Sequence, residues 1–226
     1  IDREGFENND PNNTSIEDTI STLRDTLNTK RALEFENCAL EFCITNEYMI
    51  EGESWNCVKH WIDRYNKQFN KNELEYLREL NKSYVSVYKV ISVTSGVSID
   101  LENMLETNKP SVKIVHKTLS KKLEEQSFIA TRLVEQKNKK NDIGYKISNT
   151  LLRLPDEVAS SSIDVIKSMM QMMGAMSMNT DISLKSSDNL LLQKKMWVKE
   201  ILEQWYIYYS SNASKKNEKP VLSVLT

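Results

Sequence analysis

Glycine and proline are scarce in this chain, at 5 and 4 of 226 residues. That scarcity argues against a loop-rich or Gly-rich phosphate-binding architecture. No Walker A loop, G-x-G-x-x-G turn or G-x-S-x-G elbow occurs. Histidine is scarcer still, with His60 and His116 alone, and no carboxylate–histidine metal pattern surrounds them. Cysteine is confined to Cys38, Cys43 and Cys57. An odd count in a chain this long is no disulfide framework and reads as reduced, half-buried thiols of a cytoplasmic protein. There is no apolar run of about 18 residues, so no transmembrane helix and no membrane partner are expected. Neither sign of charge dominates: 30 Lys and Arg against 32 Asp and Glu leave a net charge of -2. The whole chain therefore has no electrostatic pull toward nucleic acid or an anionic bilayer.

Against these absences stands a composition of 39% apolar and 27% charged residues, that of a soluble globular protein with a sizeable core. The stretch from Tyr84 to Leu133 breaks an otherwise helical sequence. Tyr84–Val93, Val97–Ile99, Ser111–Val115 and Phe128–Val134 are β-branched, roughly alternating runs separated by turn residues, the pattern of short antiparallel strands. Tyr145–Ser148 is a candidate return strand, and Leu154-Pro155-Asp156-Glu157 closes the sheet and opens a helix. Upstream, Thr14-Ser15-Ile16-Glu17 resembles a capping box, and a second helix is expected from about Lys30 to Tyr48. Glu51–Ser54 makes a break, Ser54–Cys57 opens a third helix, and Asn70–Glu73 caps a fourth. Downstream, helices are expected over Ile163–Met176 and from Asn189 to about Tyr209.

The expected organisation is a linker over 1–14, a helical region over 15–82, a small antiparallel β module over 83–155, a helical region over 156–209, and from 210 a linker with the start of a further segment. The fold class is α+β, with the strands forming a small sheet or partly open barrel between helices. The chain opens on Ile1 rather than Met and ends on Val221–Thr226, which reads as a strand lacking its partner. A piece of a longer protein is the expectation.

The order Leu77-Arg78-Glu79-Leu80, Ser86–Val90, Gly96–Leu105, Val112–Val115, Leu119–Leu123, Phe128–Leu133 and Leu152–Pro155 resembles a set of uncharacterised bacterial proteins, some with a C-terminal SEC-C zinc motif. The likeness runs from about Glu34 to Pro155. Asn103 stands where that pattern usually has Asp, and Glu125-Gln126-Ser127 replaces a Gly-Asp turn. The resemblance implies helices followed by a small sheet. It implies no activity.

Several clusters invite a functional reading. Met169, Met172, Met173 and Met176 fall on one helical face, and soft thioethers suit an adaptable partner surface; a core stripe or a copper(I) site are the other readings. Trp197 and Trp205 share a face of the last helix and could pack in the core or meet a partner. Lys113, Lys117, Lys121, Lys122 and Arg132 would form a basic sheet face for nucleic acid, with Tyr84, Tyr88 and Phe128 as stacking rings. Cys57 and His60, at i and i+3, could pair as thiol and imidazole, though no orienting acid accompanies them. No cofactor, metal site or small-molecule substrate is indicated. The expectation is a non-enzymatic interaction or scaffold module with a protein partner or a second copy. A nucleic-acid-associated module is the alternative, and a Cys/His enzyme the remote one.

Overall fold

The structure is a computed structural model that describes residues 29–137, 143–178 and 187–214. Helix α1 (Thr29–Thr45) leads to a two-stranded ribbon, β1 (Tyr48–Ile50) and β2 (Glu53–Trp55). Helices α2 (Cys57–Tyr65) and α3 (Lys71–Lys82) follow. The main sheet is built from β3 (Val85–Thr94), β4 (Ser98–Asn103), β5 (Val112–Val115), β6 (Phe128–Lys137) and β7 (Ile143–Leu154). Helices α4 (Asp156–Met178) and α5 (Ser187–Ser214) complete the described chain, an α+β fold.

The ribbon was not expected from the sequence, in which the first of these helices was to reach Tyr48. Its turn explains the change. Glu51 and Gly52 have φ of 52° and 85°, a left-handed pair that suits a two-residue hairpin and that a helix cannot accommodate. Tyr48 pairs with Trp55 across it. Helix α3 starts as its sequence indicates: the Asn70 side chain accepts from the amides of Asn72 and Glu73, and Glu73 reaches back to the Asn70 amide. Helix α5 continues past Tyr209 to Ser214, where a linker was expected. The expected linker over 1–14, the helix opened by Thr14–Glu17 and the strand at Val221–Thr226 lie outside the described residues.

The main sheet is antiparallel throughout, in the order β5-β4-β3-β6-β7. Its edges β5 and β7 come into contact without pairing, so the sheet curls but does not close. Alternation along β3 separates two cores. Val85 and Val87 face outward, where they join Ala130, Leu152 and Leu154 beneath Ala32, Phe35, Ile166, Trp197, Ile201 and Trp205 from the helices. Tyr88 and Val90 face inward, with Ile99, Leu101, Ile114, Ile129 and Ile147. A register shift between Val90 and Ser92, and another between Thr131 and Leu133, bend the strands that make this curl.

Candidate functional site

Three polar constellations interrupt the apolar cores. The first is centred on Arg132, whose side chain is 1% exposed. Strand β6 projects this guanidinium toward the ends of α1 and α3. Its Nη1 donates to the carbonyls of Leu80 (3.1 Å) and Ser83 (2.9 Å), and Nη2 to Thr45 Oγ1 (2.9 Å). Nε lies 2.7 Å from Glu41 Oε1, an ion pair set off the ideal N–H line. Ser148 Oγ donates to the same carboxylate oxygen at 2.8 Å. One residue thus ties β6 to α1 and satisfies carbonyls at the α3 C-terminus, where the helix dipole favours a cation. Next to it, burial and the Glu41 carboxylate push the Cys38 thiol far up, which leaves it an inert packing group.

The second is centred on Glu106, in the turn after β4. Oε1 accepts from Lys194 Nζ (2.6 Å), and Oε2 is 3.0 Å from Lys109 Nζ and accepts from the Tyr84 hydroxyl. Asn103 shapes this turn: its Oδ1 accepts from Ser86 Oγ (2.9 Å) and from the amides of Leu105 (3.0 Å) and Glu106 (3.1 Å). Its Nδ2 points at Glu106 Oε2, 3.4 Å away. An aspartate here would set a second carboxylate against Glu106, so the amide suits this turn. Burial alone would raise the Glu106 pKa, but donation from Lys194, Tyr84 and Lys109 outweighs it and holds the carboxyl below its ordinary range. Held between two ammonium groups, Glu106 is a poor proton acceptor. Burial, reinforced by Glu106, raises the Tyr84 phenol. A cavity of about 300 Å³, lined by Tyr84, Tyr88, Asn103, Lys109, Leu133 and Tyr145, opens at this end of the curled sheet.

The third is a basic cavity between α2, α3 and α5, of about 500 Å³. Lys59, Arg78, Lys82 and Lys195 line it, with Glu47 as its carboxylate.

The residues singled out in the sequence fall in different places. Met169 and Met172 are exposed on α4 and Met173 is half-buried; Met176 lies outside the residues whose side chains are described. Trp197 (4% exposed) and Trp205 (1%) are packed inside the helix-side core, Trp197 edge-on to Tyr84 at 5.4 Å and Trp205 beside Phe35 at 5.7 Å. Neither ring has surface left for a partner, because α5 buries that face against the sheet and α1. Lys113, Lys117, Lys121 and Lys122 are exposed around β5 and the short turn after it. Arg132 is parted from them by its burial, and the basic face expected from the sequence loses it for that reason. Cys57 is half-buried at the start of α2, burial raises its thiol pKa, and His60 faces the Trp55 ring at 6.1 Å. The thiol is thus moved away from the thiolate a nucleophile requires.

Sequence reasoning missed Glu41, Glu106 and Lys195. Each is a charged residue beside apolar neighbours on a mixed segment, as surface charges of amphipathic elements are, and only its burial distinguishes it. Among the described residues no group of three or more His, Cys, Asp and Glu could hold a metal ion, and no helix is long and apolar enough to cross a membrane.

No curated protein and no solved structure matches this chain. Residues 28–148 match a family of unknown function, DUF7986. That span holds α1 through the first half of β7, including the whole Arg132–Glu41–Ser148 constellation. With more than half of its 226 residues in the match, this chain belongs to DUF7986, a family of unknown function.

Proposed function

We propose that the chain is a non-enzymatic interaction module of the bacterial cytoplasm, and that the exposed thioether surface of α4 is its protein-docking face. The observation that carries this reading is the change of character along α4. Its first turns bury Val158, Ala159 and Ile166 in the core, whereas Met169, Met170 and Met172 stand exposed, Met172 by 66%. A soluble helix end has no need of three exposed thioethers, and unbranched, polarisable side chains of this kind adapt to an apolar partner. Three free thiols, Cys38, Cys43 and Cys57, fit a reducing compartment. The resemblance to uncharacterised bacterial proteins supports the bacterial setting.

The test compares the wild type with the Met169→Glu/Met172→Glu double variant. Both are used to capture partners from lysate with and without nuclease, and their self-association is read by light scattering. The expected outcome is a protein partner, or a dimer, that survives nuclease with the wild type and is lost from a variant of unchanged circular dichroism. Equal association by both proteins, or recovery only of nucleic acid that nuclease removes, would sink the reading.

A further inference from the structure

We propose that the basic cavity between α2, α3 and α5 binds a phosphorylated small molecule, with its phosphate between Arg78 and Lys195. The cavity shares no element with the α4 face. Two observations carry the inference independently.

The first is Lys195. The residue is 3% exposed, yet its ammonium has only neutral acceptors, the Thr45 carbonyl at 2.7 Å and Asn81 Oδ1 at 3.3 Å. Among the described residues its third N–H has no acceptor and no carboxylate pairs with it. The charges that act on it are Glu47, Arg132 and Lys59, two cations against one carboxylate. Glu47 is itself engaged, by Lys59 Nζ at 2.8 Å and Ser54 Oγ at 2.9 Å. A buried ammonium without a counter-charge is costly, and an oxyanion supplies both the charge and the acceptor it lacks.

The second is Arg78. It lines the same cavity from α3 and has no ion pair or hydrogen bond among the described residues. Arg78 and Asn81 are i and i+3 on the helix, so they are neighbours on one face. Asn81 accepts from Lys195. The free guanidinium and the uncompensated ammonium therefore belong to one wall, with Lys82 beside them. A planar guanidinium fork and a point-like ammonium together match a phosphate, which offers several oxygens to both. Ile62, Leu191 and Leu192 give the cavity an apolar side for the body of the ligand. Its volume of about 500 Å³ lies within the range of small-molecule sites.

The proposal is tested by calorimetric titration of the full chain with inorganic pyrophosphate at neutral pH and low ionic strength, with citrate as a carboxylate polyanion in a parallel arm. One saturable pyrophosphate site is expected, tighter than citrate by about ten-fold and weakened about ten-fold by Arg78→Ala. Arg78 is exposed and has no ion pair or hydrogen bond among the described residues, so this variant keeps its fold. Lys195→Met, monitored by circular dichroism, is expected to weaken binding as well. Lys146→Ala, outside this cavity, is expected to leave it unchanged. Absence of saturable binding at millimolar pyrophosphate, equal binding by Arg78→Ala, or citrate bound as tightly as pyrophosphate would each overturn the assignment.

Discussion

At the scale of single residues, two buried cations organise the molecule in opposite ways. Arg132 is compensated by Glu41 and three further contacts, and removing it leaves a buried carboxylate without its cation and takes a donor from the Leu80 and Ser83 carbonyls. Arg132→Met is expected to cost about 3–5 kcal/mol in urea denaturation. A second change, Glu41→Leu, should return part of that loss, because it removes the orphaned charge. A loss below about 1 kcal/mol would show the ion pair to be incidental. Lys195, by contrast, is uncompensated. Burial brings its pKa down from 10.5 to about 8. Between those values the unfolded chain holds the proton and the folded chain releases it, so this group makes stability rise with pH. Below about pH 8 both states carry the proton and its pH dependence vanishes. The wild-type melting temperature should therefore gain on that of Lys195→Met across this window and run parallel to it below. A flat difference throughout would mean that the ammonium is solvated in the folded chain.

At the scale of elements, the turn before β6 carries a strain that its sequence half reveals. Gln126 has φ of 66°. The turn is retained because the Gln126 amide donates to Val90 O at 2.8 Å, and Ser127 O accepts from Val90 N at 2.9 Å. The pattern that the sequence resembles has Gly-Asp in this turn, and glycine adopts the left-handed region without a Cβ penalty. Gln126→Gly is expected to stabilise the chain by about 0.5–1 kcal/mol, the left-handed penalty less the entropy of a glycine. Chemical denaturation checks it, and a loss of stability would mean that the Gln126 side chain contributes more than its backbone costs. The helix α3 start, the β3–β4 turn at Gly96 and the close of the sheet at Pro155 were all legible, because each depends on residues within a few positions. The β1–β2 ribbon was not. Its three-residue strands are too short to show alternation, and only the Glu51-Gly52 pair marks the hairpin.

At the scale of the whole molecule, the two cores share strands. Val85 and Val87 serve the helix-side core, and Tyr88 and Val90, on the same strand, serve the interior of the curl. Arg132 and Glu106 add polar ties from the sheet to α1, α3 and α5. Neither core can lose its packing without releasing a face of β3 and β6 that the other needs. Thermal unfolding is thus expected to be a single transition. Tryptophan fluorescence, with Trp197 and Trp205 in the helix-side core, should coincide with far-ultraviolet circular dichroism. Two separated midpoints would show that the helices and the curled sheet are independent units.

The sequence by itself determined the α+β class, most strands and helices, the capping box of α3 and the absence of a long apolar span, because these follow from relations between near neighbours along the chain. Only the tertiary structure decided what those elements bury. The face of Trp197 and Trp205 is the same in either reading, and packing against α1 and the sheet made it core. Arg132 looked like one of several surface cations until Thr45, 87 positions away, and Glu41 enclosed it. Lys195 acquired its character from the same Thr45, at a separation of 150. Burial and charge compensation are properties of such distant meetings, and no local pattern encodes them.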